Sequence, residues 1–159
     1  MAVFRQEMGK KVVYVANVGD TRGVLMSGTN SFKRVSYDHK ATDRQEIDRV
    51  KKEGGIILDD RVGGALAITR AFGDYALKRD GVSAKPSITK YYLKPHDKFL
   101  VIASDGIWDV LEDEDTCKLC REELSTKEIS QHIIKAAMES GSTDNCSCLV
   151  IRFNSTSPF

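Results

Sequence analysis

Residues 99–111 read FLVIASDGIWDVL, and the change of character inside this stretch decides the architecture. Phe99 to Ala103 is apolar without a break, the pattern of a strand covered on both faces. Ser104-Asp105-Gly106 then interrupts it with turn-forming residues. A buried strand is therefore expected over 98–104, with Asp105 at its end, held on a rigid element beside a loop.

Upstream, 11–18 (KVVYVANV) is rich in β-branched residues and reads as another strand. Gly19-Asp20 is expected to turn it into a second strand near 23–27, making a hairpin. Thr42 and Gln45 have the spacing of a capping box, opening a helix that carries Ile47 and Val50 and stops at Gly54-Gly55. A stretch over 56–68, with Gly63-Gly64 inside it, and a strand over 87–93 follow. Downstream, a helix is expected over 113–123. Another opens at Ser125, where Glu128 completes a second capping box, and carries Ile129, Ile133, Ala136 and Ala137 on one side. Gly141 closes it, and a last strand runs over 147–153. Strands and helices mix without βαβ alternation, so the expected fold is α+β with mainly antiparallel sheets rather than a doubly wound sheet.

Composition bounds the function. The 159 residues are 41% hydrophobic and 30% charged, which suits one globular domain. The net charge is +1 and the basic residues are scattered, so nucleic acid is not an expected partner. No apolar run approaches the roughly 20 residues that span a bilayer, so no membrane is expected either. The opening MAVFRQEMGKK lacks an apolar segment followed by a small-residue cleavage site, and the expected location is cytoplasmic or nuclear. Cys117 and Cys120 form C-x-x-C, and Cys146 and Cys148 form C-x-C, spacings that also occur in zinc sites. Here they fall in an expected helix and an expected strand, where small packing residues are the simpler account.

Three aspartates share one kind of setting. Asp105 follows the buried strand, Asp144 lies in STDN before the last strand, and Asp20 lies in the first expected turn. Carboxylates at rigid strand ends suit Mg²⁺ or Mn²⁺, which prefer oxygen ligands. Asp-Gly, Gly-Asp and Asp-Asn are equally ordinary turn formers, and spacing alone leaves both readings open.

Five stretches taken together resemble a known family. ANVGDTRGVL at 16–25, DHKATDRQEIDRVKKEGG at 38–55, RVGGALAITRAFGD at 61–74, FLVIASDGIWDVL at 99–111 and STDNCSCLVIRF at 142–153 are similar, in order and separation, to successive motifs of the metal-dependent type 2C (PPM) serine/threonine protein phosphatases. The resemblance implies a four-layer α-β-β-α sandwich, here partial, spanning 1–154 with a short tail at 155–159. It implies hydrolysis of phosphoserine and phosphothreonine in phosphoprotein substrates by a metal-activated water, with Mg²⁺ or Mn²⁺ as cofactor. By the same resemblance Asp105 and Asp144 match the catalytic metal ligands, and Asp20 matches a third, weaker metal position. Gly106 and Asn145 support them, and Arg70 and Asp74 are expected as buried polar braces of the metal-site loops. Trp108 is expected to pack; His39, His96 and His132 are not expected to be catalytic.

The family also carries, nearer its N-terminus, an early Glu, an Asp-Gly-His-Gly-Gly segment, a phosphate-contacting Arg and a His. The Asp-Gly pairs here are Asp80-Gly81 and Asp105-Gly106, and neither continues into His. The chain is therefore expected to be an N-terminally truncated form with an incomplete metal site and an exposed sheet edge, along which a homodimer is expected. The alternative function is a non-catalytic pseudophosphatase, a phosphoprotein-binding or regulatory module.

Overall fold

A computed structural model describes residues 1–28 and 31–153; the boundary at 154 and the 155–159 tail lie outside the described residues. Nine strands and four α-helices are placed along the chain among the described residues. The strands are β1 (Ala2–Glu7), β2 (Lys10–Asn17), β3 (Arg22–Ser27), β4 (Phe32–Arg34), β5 (Ile57–Leu58), β6 (Arg61–Val62), β7 (Ser87–Tyr92), β8 (Asp97–Ala103) and β9 (Cys148–Arg152). The helices are α1 (Arg44–Lys52), α2 (Asp105–Trp108), α3 (Asp113–Leu119) and α4 (Thr126–Glu139). They fall into two units. The first comprises 1–15, 21–36 and 88–159, and the second 16–20 and 37–87.

The first unit holds the large sheets. One has the order β1-β2-β7 and the other β4-β3-β8-β9. β1 and β2 form an antiparallel hairpin through Met8 (φ 47°) and Gly9 (φ 74°), a pair of left-handed residues of the kind that matches strand twist. This hairpin was not foreseen in the sequence. Its register sets Phe4 against Val13 and Ala2 against Val15. Those side chains, with Leu25 and Leu100, form a core between the sheets. Because strand side chains alternate faces, Val24, Met26, Phe99, Val101 and Ala103 point the other way and pack beneath the helices. Each fully buried side chain of this kind contributes about 1.5–3 kcal/mol. α4 places Ile129, Ile133 and Ala137 there, all fully buried, one helical turn apart. The Ser125–Glu128 capping box that starts α4 is present in both directions. The α+β class and the antiparallel sheets are as expected.

The second unit is smaller. α1, the β5–β6 hairpin and a 3₁₀ helix at Tyr75–Asp80 enclose a core of Ala41, Val50, Val62 and Val82. The β5–β6 turn is made by Asp59 and Asp60 at φ 48° and 57°, a backbone region aspartate tolerates better than most residues. Gly55 is forced by proximity: a β-carbon on it would lie 2.0 Å from the Asp80 carbonyl oxygen.

Four sequence expectations are corrected. Gly19-Asp20 does not close a hairpin, because β2 lies beside β1 and β7 while β3 lies beside β4 and β8. Gly19 adopts a turn-like φ of 96°, yet its carbonyl is taken by Asn17 and His39 rather than by a returning strand. The cap of α1 is Asp43, not Thr42, with its carboxylate accepting from the amides of Gln45 and Glu46 at 2.9 and 3.1 Å. The expected helix over 113–123 ends at Leu119, and Cys146 lies ahead of β9 rather than in it.

Candidate functional site

Strand register brings the candidate carboxylates of the first unit together. Ala103 at the end of β8 is paired with Arg22 at the start of β3 and with Cys148 at the start of β9. The segments just beyond β8 and just before β9 must therefore meet at one end of the sheet. Ser104 knits them. Its amide donates to the Ser147 carbonyl (3.0 Å), its hydroxyl donates to the Asn145 carbonyl (3.0 Å) and accepts from the Ser147 amide (3.0 Å). Asp105 then opens α2, a single helical turn where a loop was expected.

Gly106 completes the junction. A β-carbon there would sit 2.6 Å from the Asn145 carbonyl oxygen and 3.4 Å from Cβ of Asp144, so a residue without a side chain is required. The Ser142 hydroxyl donates to the Gly106 carbonyl at 2.6 Å. Asp105 Oδ1 accepts from the Gly106 amide (3.0 Å) and Asp144 Oδ1 accepts from the Asn145 amide (2.6 Å). Each carboxylate keeps its Oδ2 without a hydrogen bond among the described residues. Asp105 is half-buried and Asp144 exposed. Two oxygen-rich, accessible carboxylates on facing, cross-braced loops are the donor type that a hard divalent cation prefers, and to that extent they fit Mg²⁺ or Mn²⁺.

Buried contacts around Trp108 hold the α2 turn. Trp108 is buried, its indole N–H donates to the Ala103 carbonyl (2.8 Å), and the Arg22 guanidinium lies 5.2 Å from its ring centroid. Arg22 Nη1 in turn donates to Asp113 Oδ1 at 2.7 Å. Arg34 Nη2 reaches the same oxygen at 3.2 Å, and Arg34 Nε donates to Asp113 Oδ2. Trp108 thus packs as expected. Arg22 and Asp113 were not singled out from the sequence, although an Arg opening the otherwise buried run RGVLM signals a charged partner elsewhere in the chain.

Asp20, Arg70 and Asp74 belong to the second unit. Asp20 is half-buried and follows Gly19, whose carbonyl accepts from Asn17 Nδ2, from the His39 amide and from His39 Nδ1, each at 3.0 Å. A carbonyl only accepts, so His39 carries its proton on Nδ1. Burial, with Arg70 nearby, pulls the His39 pKa below its ordinary 6.5. Arg70 is tied to Glu46 and to the 85 backbone. It donates through Nε (2.9 Å) and Nη2 (2.5 Å) to Glu46 and through Nη1 to the Lys85 carbonyl (2.8 Å). Arg49 joins at Glu46 Oε2 (3.1 and 3.2 Å), and the Thr69 hydroxyl donates to the same oxygen (2.5 Å). Burial opposes ionisation of Glu46, but donors from Arg70, Thr69 and Arg49 outweigh it and hold the carboxyl at about 2. Asp74 is corrected: it is exposed, adopts a left-handed φ of 56° and makes no capping bond, so it is not a buried brace.

All four cysteines are free thiols, Cys117 buried and the others half-buried. Burial pushes Cys120 and Cys148 up to about 12. Among the described residues no group of three or more His, Cys, Asp and Glu side chains is placed to hold a metal ion.

Residues 1–146 match the family described as protein phosphatase 2C. The chain is 41% identical over 142 residues to protein phosphatase 2C homolog 1 of Saccharomyces cerevisiae, covering 89% of this chain and 50% of the yeast protein. It is 40% identical over 154 residues to the protein of the same name from Schizosaccharomyces pombe, covering 95% and 44% respectively. The chain thus spans about half the length of the curated relatives it matches. Among solved structures, a phosphatase from Toxoplasma gondii superposes with a TM-score of 0.81 at 28% identity, covering 93% of this chain and 50% of that one. A sex-determining protein of C. elegans does so with the same TM-score at 29% identity, covering 95% and 39%. Ordered motifs, antiparallel sheets and the Asp105–Asp144 junction have one common explanation: the chain belongs to the protein phosphatase 2C family.

Proposed function

We propose that this chain serves a protein serine/threonine phosphatase that hydrolyses phosphoserine and phosphothreonine esters of phosphoproteins, with Asp105 and Asp144 as ligands of Mg²⁺ or Mn²⁺. The observation that carries the reading is the locked junction of Gly106 against Asn145, which holds the two carboxylates on adjoining loops. A bound divalent pair supplies charge neutralisation for the phosphate oxygens and acidifies a water molecule. The chain's own part is positional. The unbonded Oδ2 atoms of Asp105 and Asp144 would serve as ligands, Ser104 and Ser142 fix the spacing of their loops, and Arg22 on Trp108 restrains the α2 turn. Asp20 is proposed as a ligand at a third, weaker position, with Arg70 bracing its surroundings through Glu46.

The test is hydrolysis of para-nitrophenyl phosphate and of a phosphothreonine peptide with and without millimolar Mn²⁺, beside Asp105→Ala and Asp144→Ala. Manganese-dependent turnover lost in both variants supports the assignment; turnover indifferent to them removes Asp105 and Asp144 from the site.

A second reading, a non-catalytic phosphoprotein-binding module, is favoured by one observation. Among the described residues, ligating side chains do not gather in threes. Folded protein that binds phosphopeptide without turnover at any manganese concentration selects this reading. A homodimer along the outer edge of β1 and a cytoplasmic or nuclear location are further proposals; a monomer mass by sedimentation would end the first.

A further inference from the structure

A concave surface within the second unit has a composition unlike the chain as a whole. Its volume is about 420 Å³ and its lining is Arg49, Lys52, Glu53, Arg70, Ser83 and Lys85. Four cations thus face one carboxylate in a chain whose net charge is +1. A concave wall with an excess of one charge sign concentrates its field on whatever enters.

The cations differ in what they are free to do. Arg49 and Arg70 are pinned by Glu46, and Arg49 also donates to the Glu53 carboxylate (2.8 Å) and to the carbonyls of Gly81 (3.0 Å) and Thr69 (3.0 Å). They supply fixed positive charge at a set position. Lys52 and Lys85 line the same pocket with ammonium groups that have no hydrogen bond or ion pair among the described residues. Ser83 Oγ accepts from the Lys85 amide (3.2 Å), and its own proton is uncommitted among the described residues. Arg70 Nη1 holds the Lys85 carbonyl at 2.8 Å and so fixes the backbone that carries this lysine. The Arg70 guanidinium, with one N–H on each of Nη1 and Nη2 uncommitted among the described residues, two unpaired ammonium groups and a hydroxyl donor are the complement of a multiply charged oxyanion, while Arg49, its donors all committed, adds only charge.

We propose that this pocket is a second phosphate-binding site, taking a phosphorylated residue of a phosphoprotein that is not the one hydrolysed. The choice of occupant rests on the phosphatase reading, whereas the anion preference rests on the pocket alone. It shares no residue with the Asp105–Asp144 junction. The pocket volume admits a phosphorylated side chain with its neighbouring backbone. Peptides carrying two phosphates are then preferred over those carrying one.

The experiment is fluorescence anisotropy with the whole chain in EDTA, so that metal-dependent binding and turnover play no part. The probes are a labelled peptide with two phosphoserines, its unphosphorylated twin, and inorganic phosphate as competitor. The phosphorylated peptide is expected to bind at least about tenfold tighter than its twin, and Lys52→Gln with Lys85→Gln to erase most of that gap. Both lysines are exposed, and an unchanged melting temperature checks that the double variant is folded. Three results overturn the proposal: no gap between the peptides, a gap unchanged in the double variant, or inorganic phosphate competing as strongly as the peptide, which would make this a small-anion site. Failure of the phosphatase reading would appear in the manganese assays and leave the EDTA measurement unaffected.

Discussion

A β-carbon on Gly106 would lie 2.6 Å from the carbonyl oxygen of Asn145, well inside van der Waals contact, and that near-contact sets the distance between the Asp105 and Asp144 loops. Gly106→Ala must push the 144–145 backbone away. The expected cost is about 1–3 kcal/mol of stability, as for other overpacked positions. A larger loss is expected in Mn²⁺ affinity than in stability, read by calorimetry beside urea unfolding. Unchanged Mn²⁺ binding in a folded Gly106→Ala protein would separate the junction from the metal site.

Asp113 is 5% exposed and accepts from both Arg22 and Arg34. Asp113→Ala takes the carboxylate away from buried Arg22 and from Arg34, at an expected cost of about 3–5 kcal/mol. Replacing both Arg22 and Asp113 by Met and Leu should recover part of that loss, because the buried charge disappears with its partner. Chemical denaturation of the single and double variants measures the difference. A double variant no better than Asp113→Ala would mean that Arg22 matters chiefly through Trp108.

Acid should weaken the protein in two steps. His39 has a folded pKa below its ordinary 6.5, so the unfolded chain takes up the proton first, and this contribution is present above about pH 6.5 and is lost as pH falls below it. Glu46 has a folded pKa of about 2 against an ordinary 4.5, so its contribution is present above about pH 4.5 and is lost as pH falls towards 2. Urea midpoints from pH 8 to pH 3 should show both slopes. His39→Gln should flatten the first alone and Glu46→Gln the second alone.

The thiols of Cys120 and Cys148, pushed up to about 12, hold almost no thiolate at neutral pH. Iodoacetamide at pH 8 should modify both at least about a hundredfold more slowly in the folded protein than in urea. Peptide mapping by mass spectrometry reads each site. Rapid labelling of either in the native state would contradict its placement against the core.

What was legible in the sequence was legible for local reasons. The unbroken apolar run ending at Ala103 became β8, buried on both faces, and Ser125 with Glu128 became a reciprocal cap because both partners sit within one helical turn. Asp105 and Asp144 were readable as strand-end carboxylates, and their motifs named the family. What was missed depends on partners far along the chain. Gly19-Asp20 has hairpin chemistry, but which strand returns is decided by the apolar faces of β1, β7 and β8, not by the turn. Arg22 and Asp113 are separated by 91 positions. Asp74 looked buried because it follows Arg70 in a shared motif, yet only Arg70 has a carboxylate to meet.

One carboxylate, Glu46, ties Arg49, Thr69 and Arg70 together in a unit whose fully packed apolar side chains are few. Apolar burial adds up over many contacts and fades gradually, whereas an ionic hub is lost all at once when its single anion is neutralised. The second unit should therefore open as a block, ahead of the sheets. In native-state hydrogen exchange, the amides of Ala41, Thr69, Ala71 and Ser83 should share one opening free energy, lower than that of the β3–β8 ladder, and should lose protection together in Glu46→Gln. The charge that positions Arg70 is then also the latch on a cooperative folding unit.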